Sequence, residues 1–499
     1  MSVVKKFLGD TVIYGLSTIV SRMLNFLLTP LFVKKFPAAV YGVFTNLYAY
    51  ASMLNALLAF GMETTYFRYL QKVEKEQKNQ VFNNSFFVTI LTVALFLLCV
   101  VLFVDPIAAW LGDGKDVDDY VLYTKYFAAI LASDAIAVIP FAKLRAEGRP
   151  LFYGALKLIN IFVLVVSNLF LLYWLPSLME GSAFWQHFAS GWFKPNWLGN
   201  IFISNLLASV VTLLMLIPQM ASFSFKSVDR KVINSMIKYS FPILIANISF
   251  IINENLDKMM FPRLMPGAQG DQDLGIYGAV AKLAVFLNLF VTAFRLGAEP
   301  FFFSYSKNEN ARRTYAVIMD YFVIAMVLVM VGICANMDWL KNFIKGSQEQ
   351  QAIYWSGLYI VPILLFNYVL LGIYMNLSVW YKLSDQTIYA LYISGIGAVI
   401  TIVLNVLLIP RYSYMGAVGA TTIVYVVMVT LSYIWGQRNY PIPYNLKKIV
   451  LFLVAGVALS WTMFNVLHSN VWICNGLLIL FLIGVAFVEK DNLRKIIKR

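Results

Sequence analysis

Charged residues inside apolar runs are the part of this chain best suited to chemistry. Arg22 stands near the middle of a long apolar stretch. Thr18, Arg22, Asn25 and Thr29 recur at i, i+4, i+7 and i+11, which is one face of a helix. The same spacing returns in Asn288, Thr292, Arg295 and Glu299, with Lys282 earlier in that run. A guanidinium keeps its charge when desolvated, and its planar fork matches phosphate geometry. Arg22, Asn25, Lys282, Asn288 and Arg295 are therefore candidates for holding an anionic head group. Glu63, Glu254, Asp257 and Glu299 are candidates for binding a coupling ion, H+ or Na+. Asn253 and Asp257 lie beside the stripe Asn247, Glu254 and Lys258. Asp134 and Lys157 carry a weaker signal of the same kind. A plainer reading stands beside each of these. Arg295 and Glu299, four apart, can pair within one helix. Lys282, Arg295 and Glu63 lie ~10 Å or more from their span centres at ~1.5 Å per residue, within reach of snorkelling. Asp257 and Lys258 fall near the outer surface.

The elements that must position these residues are membrane helices. The chain has 499 residues, 60% hydrophobic and only 13% charged, where a soluble protein carries roughly 25% charged residues. About fourteen apolar runs approach or exceed the ~20 residues that cross a bilayer: 8–33, 40–69, 82–104, 120–142, 151–175, 197–220, 233–261, 275–302, 313–335, 354–380, 387–409, 414–436, 447–467 and 471–488. Only a helix satisfies its own backbone there, so the fold class is an all-α integral membrane protein. Lys5 and Lys6 precede a run far too long for a signal peptide, so the first helix reads as an uncleaved anchor.

The net charge of +14 would suit nucleic acid. Its distribution favours topology instead, because roughly two-thirds of the Lys and Arg fall in alternate loops, the pattern of a cytoplasmic side. Both termini then face the cytoplasm, with Lys34 and Lys35 as exceptions. Cys99, Cys334 and Cys474 sit in apolar runs without pairing or metal-binding spacing. No zinc helix, phosphate loop or nucleophile elbow occurs, and no cofactor is expected. The aromatics Trp185, Trp192, Phe193 and Trp197 read as an interfacial belt, with sugar stacking as the rival reading.

A repeat sets the domain organisation. Val40–Phe44 (VYGVF) opens the second span and Ile276–Val280 (IYGAV) opens the eighth; each follows a span with a proline near its end, Pro30 and Pro262. The reading is an N-terminal lobe over 1–221, a linker at 222–232, a C-terminal lobe over 233–437, and two further helices with a basic tail over 438–499. Paired six-helix lobes of this kind are typical of transporters that alternate access around a midplane site.

Several stretches resemble the polysaccharide-unit flippases of the multidrug/oligosaccharidyl-lipid/polysaccharide exporter superfamily. They are GDTVIYGLSTIVSRMLNFLLTPLFVKKFPAAVYGVF at the N-terminus, FGMETTYFRYL, AKLRAEGRP after the fourth span, KYSFPILIANISFIINENLDKMMF and YMGAVGATT. The resemblance implies two six-helix lobes in a V around a central cavity, plus two C-terminal helices. It implies a substrate, an undecaprenyl-pyrophosphate-linked oligosaccharide turned from the inner to the outer leaflet of a bacterial cytoplasmic membrane. It also places Arg22 and Arg295 best for the pyrophosphate. A polysaccharide polymerase is the partner the resemblance implies; a monomer is the default state. Two other functions compete. A drug or cation antiporter of the same fold needs an acid-dominated cavity with aromatic walls. A polytopic glycosyltransferase would use Asp116, Asp118 and Asp119 in DGKDVDDY to hold a metal, but that short Gly-flanked loop offers no sheltered second shell.

Overall fold

A computed structural model describes Met23 and residues 26–490, Asp385 excepted; for Lys75, Leu296, Glu299, Pro300 and Ser304 it describes the backbone alone. Arg22 and Asn25, and the Glu299 side chain, lie outside the described residues. Those residues form helices and no strand. In chain order the helices that matter here are α1 Thr29–Lys35, α2 Ala38–Ala59, α3 Met62–Leu70, α4 Lys78–Gly112, α5 Val117–Ala146, α6 Pro150–Leu169, α7 Gly199–Met215, α8 Arg230–Leu264, α9 Ala268–Tyr305, α10 Ala311–Ala335, α11 Val361–Leu377, α12 Val379–Leu383, α13 Ile388–Asn439, α14 Leu446–Asn465 and α15 Val471–Val488.

Eleven helices among the described residues are long and apolar enough to span a bilayer, α2 and α3 counting as one. One of them, the 52-residue α13, contains two expected spans, parted at Ser413 by φ 51° and ψ −138°. The sixth expected span is α7, with 17 residues. Thirteen expected spans are thus helical, and of the first only Met23 and residues 26–33 are described.

Helix boundaries follow local chemistry. Phe60 and Gly61, at φ 47° and 63°, part α2 from α3. The Asp116 carboxylate accepts from the backbone N–H of Asp118 at 3.1 Å and caps α5. Asp229 caps α8 in the same way, through Lys231 N at 2.8 Å, and Pro150 occupies the first turn of α6.

The described chain packs as two units. The first takes residues up to Leu28 and Phe44–Pro266; the second takes Thr29–Val43 and Gly267 onward. The repeat puts the break at 222–232, whereas packing puts it at 266/267, because the linker and α8 are fastened to the first unit. Asn83 Oδ1 accepts from Ser224 N at 3.1 Å, and Asn84 Oδ1 accepts from Asp229 N at 2.8 Å. The Lys143 ammonium donates to Ser222 Oγ at 2.5 Å. The Thr65 and Ser240 hydroxyls meet at 2.7 Å, and the Arg68 guanidinium lies 3.8 Å from the centre of the Tyr239 ring. Met62, Tyr66, Phe82, Phe86, Ile139 and Met236 form the core beneath them.

In the second unit, the start of α2 crosses the start of α9 at two glycines. A Cβ on Gly275 would lie 1.8 Å from the Ala38 carbonyl oxygen, and one on Gly42 would lie 2.0 Å from that of Asp271. Small residues one turn apart let membrane helices approach this closely. Gln350 Oε1 accepts from Ala38 N at 3.0 Å, and the Tyr354 hydroxyl donates to Phe36 O at 3.0 Å.

The last two helices are clasped to α10. The Lys448 ammonium, at the start of α14, meets Glu489 beyond α15 at 2.5 Å and Asp320 of α10 at 3.6 Å, with all three side chains at most 16% exposed. Removing one partner of a buried ion pair strands the other charge at a cost of about 3–5 kcal/mol. Lys448→Met is therefore expected to lower the unfolding midpoint in detergent, and Lys448→Met with Glu489→Gln to recover part of the loss. Thermal denaturation of the purified variants checks both.

Candidate functional site

In the second unit, α9, α11 and α12 surround a small recess, open to its surroundings. Arg295 and Ala298 from α9, Asn376 and Gly372 from α11, and Lys382 from α12 line it, with Phe294 and Phe302 among its walls. Two cations therefore share one concavity. Gly372 lets α11 pack closely on α10 there, since a Cβ would lie 2.5 Å from the Phe322 ring. Asn376 is 5% exposed, and its Nδ2 has no hydrogen-bond partner among the described residues. A buried amide donor without an acceptor is costly, and an acceptor-rich ligand in the recess would satisfy it. An ammonium, a guanidinium and an amide N–H are all donors, and an oxyanion presents only acceptors.

Asn288 and Arg295 lie about 20° apart around α9 and so share a face, at 3.6 residues per turn. Lys282 lies about 140° round from Arg295 on the same helix, so α9 does not bring these two cations to one side. Lys382 stands where Lys282 was expected, as the second cation beside Arg295. It and Asn376 were missed by sequence reasoning: Lys382 reads as a loop cation just past a span, and Asn376 as an isolated amide in an apolar run. No local spacing links either to Arg295.

Two of the candidate acids, Glu63 and Asp257, form ion pairs within the first unit. Glu63 of α3 pairs with Arg145 of α5 at 2.7 Å, and the Arg145 guanidinium lies 4.7 Å from the centre of the Phe67 ring. Asp257 is buried, 4% exposed, and pairs with Lys258 at 3.1 Å. The Lys258 ammonium also donates to the Glu254 carbonyl at 3.0 Å. Asn46 donates to the Lys258 carbonyl at 2.7 Å, which ties this end of α8 to α2. Arg263 stacks on Trp110 at 3.6 Å from the ring centre.

A second polar group lies in the first unit. The Ser209 hydroxyl of α7 donates to Asp134 of α5 at 2.7 Å. Asn205, one turn earlier, donates to the Tyr48 hydroxyl of α2 at 2.6 Å. Lys157 of α6 sits 4.2 Å from the Phe141 ring centre, within electrostatic reach of Asp134, Glu63 and Arg145. The stretch AKLRAEGRP supplies Arg145, which read from the sequence only as a loop charge.

The segment around Trp185, Trp192 and Trp197 is largely aromatic contact. Phe184 and Phe188 stack at 6.4 Å, and Tyr123 meets Trp197 at 5.6 Å. Lys194 pairs with Asp119 at 2.9 Å, and that partner holds the lysine above its ordinary range. Among the described residues no group of three or more His, Cys, Asp or Glu could hold a metal ion.

Comparison with known proteins places this geometry in context. The family described as "Polysaccharide biosynthesis protein" matches residues 7–306, and MatE matches residues 242–407. No curated protein sequence matches significantly. Among solved structures, "Lipid II flippase MurJ, inward closed conformation" superposes with a TM-score of 0.73 at 13% identity, covering 97% of this chain and all of that one. An inward-facing multidrug resistance MATE family transporter gives 0.64 at 15% identity, covering 89% of this chain and 95% of that one. A transporter of the same superfamily from Pyrococcus furiosus, titled for the reverse polarity of its binding pocket, gives 0.56 at 14% identity over 86% and 95%. At such identities the likeness is one of fold.

Proposed function

The chain belongs to the family of polysaccharide biosynthesis proteins, within the multidrug/oligosaccharidyl-lipid/polysaccharide exporter superfamily, and from that premise we propose that it flips an undecaprenyl-pyrophosphate-linked oligosaccharide from the inner to the outer leaflet. The observation that carries this reading is the recess lined by Arg295, Lys382 and the unpartnered amide of Asn376. Its donors, set in an otherwise apolar lining, suit an oxyanion such as a pyrophosphate. The lipid tail stays in hydrocarbon while the head group occupies the recess, and the site opens to the two sides in turn. The cargo is moved unchanged, so the protein is a transporter and not an enzyme. The membrane is the bacterial cytoplasmic one, serving O-antigen or other lipopolysaccharide glycans, with both termini in the cytoplasm, a monomeric protein and a polysaccharide polymerase as neighbour. The MatE match over 242–407 favours one second reading, export of a cationic drug, against which two cations in one recess weigh.

Ligand binding separates the two readings. Detergent-solubilised protein is expected to bind undecaprenyl pyrophosphate in preference to undecaprenyl phosphate, and Asn376→Leu to narrow that preference by about 10-fold, the worth of one charge-assisted hydrogen bond. Binding of a cationic dye such as ethidium, with none of the pyrophosphate lipid, would contradict the proposal and favour the antiporter.

A further inference from the structure

Ser413, in the turn inside α13, holds φ 51° and ψ −138°, a conformation that glycine enters freely and a residue with a Cβ enters only under strain. The turn is tight: a Cβ on Gly416 would lie 2.4 Å from the Leu408 carbonyl oxygen, so the two halves of α13 touch beside it. A glycine at position 413 would make the same turn without strain. Serine adds a hydroxyl, and that hydroxyl donates to Asp273 Oδ2 at 2.5 Å. Strain of this kind persists only where surrounding contacts hold it. Asp273 stands in the second turn of α9 and is buried. Gln269, one turn earlier, donates to Asp273 Oδ1 at 2.8 Å. One carboxylate oxygen is thus engaged by its own helix, which fixes the side chain, and the other by the α13 turn. Tyr414 is buried beside Ser413, with its ring 6.0 Å from that of Tyr359, and seats the turn from a second side.

The recess lies toward the other end of the same helices. Arg295 follows Asp273 by 22 residues on α9, about 33 Å along the axis. The second half of α13 grips the opposite wall. The Thr422 hydroxyl donates to Asn367 Oδ1 of α11 at 2.8 Å, and Asn367 Nδ2 donates to the Val418 carbonyl at 3.2 Å. The Trp380 indole N–H of α12 donates to Ser432 Oγ at 3.4 Å, and a Cβ on Gly436 would lie 2.9 Å from that ring. Asn376 follows Asn367 on α11, and Lys382 follows Trp380 on α12. Helix α13 is therefore a strut. Its turn rests on α9, and its second half holds the wall that carries Asn376 and Lys382.

We propose that Asp273 and Ser413 are positioning residues for the recess: their bond seats the α13 turn on α9 against backbone strain, and through α13 it sets how far the Asn376 and Lys382 wall stands from Arg295. That the recess holds the head group of the cargo rests on the flippase reading; the clasp between Asp273 and Ser413 does not depend on it.

Distance, stability and affinity together test this. In a Cys99→Ser background, spin labels at Ala268→Cys and Tyr412→Cys, both exposed positions, report the separation of the first turn of α9 from the α13 turn. The otherwise unaltered protein is expected to give one narrow distance. Ser413→Gly removes the hydroxyl but also the strain, so it should melt near wild type while broadening that distance. Asp273→Ala should broaden it too, and the two changes together no more than either alone, because they break one bond. Ser413→Ala loses the bond and keeps the strain, so it should melt below Ser413→Gly; the reverse order would overturn the strain. Affinity for undecaprenyl pyrophosphate in detergent is expected to fall about 3- to 10-fold in Ser413→Gly and in Asp273→Ala, the worth of one hydrogen bond. A narrow distance retained in both variants would overturn the clasp. Wild-type affinity alongside a broadened distance would overturn its hold on the recess. Should Asp273→Ala not fold, Ser413→Gly decides both points. Wild-type protein that binds no undecaprenyl pyrophosphate would fail the flippase reading, and the distances alone would then decide the clasp.

Discussion

Gly275→Val is expected to be among the most disruptive single changes outside the charged sites. Its Cβ would have to occupy a point 1.8 Å from the Ala38 carbonyl oxygen, where no rotamer helps, because the obstacle is backbone. The crossing of α2 and α9 must open by ångströms. The bonds Ala38 N to Gln350 and Tyr354 to Phe36 then lose their geometry, and each net hydrogen bond is worth about 0.5–1.5 kcal/mol. Together with lost packing, a loss of about 4 kcal/mol or more is expected, in the exceptional tail for point mutants. Gly275→Ala already places the same Cβ and should be nearly as harmful, whereas Gly297→Ala, at a glycine with nothing within 4 Å, should be tolerated. Thermal unfolding and membrane yield of the three variants check this. Near-wild-type stability of Gly275→Val would mean that the glycine crossing is not made.

The second large effect concerns the recess. Arg295→Ala and Lys382→Ala each remove one of its two cations, and charge-assisted bonds to an anion are about twice as strong as neutral ones. Each is expected to slow translocation by about 10- to 100-fold, at 1.4 kcal/mol per tenfold. Both cations line the same recess, so the double variant should lose less than the product of the single effects. Lys282→Ala, which α9 places on another side, should cost far less. Equal losses for Lys282 and Lys382 would show that the recess is not where the head group binds. Arg295→Lys keeps the charge but not the planar fork and should fall between wild type and Ala.

The sequence was most legible where the physics is local. Apolar runs and loop charge revealed the helices because a span's length and composition are set by the bilayer. The Asn288–Arg295 face was legible because both residues ride one helix. Lys382 and Asn376 were not, because helix packing, not spacing, brings them to Arg295. The repeat illustrates the same limit. VYGVF and IYGAV align Gly42 with Gly278, yet Gly42 packs beside Gly275, about one turn earlier. A motif shows that a small residue is needed without showing which partner it meets. Glu63 and Asp257 were found as acids within apolar runs, but their engagement by Arg145 and Lys258 depends on the partner's rotamer and, for Glu63, on a different helix.

Movement of an intact lipid-linked oligosaccharide tests the central claim most directly. Purified protein is placed in liposomes with an undecaprenyl-pyrophosphate oligosaccharide in both leaflets, and access of its sugar to an impermeant oxidant outside is followed over time. The account predicts that wild type exposes nearly all of the glycan, chemically unchanged, while Arg295→Ala with Lys382→Ala protects the inner-leaflet half as protein-free liposomes do. Full exposure by the double variant, or no exposure beyond the outer half by wild type, would contradict it.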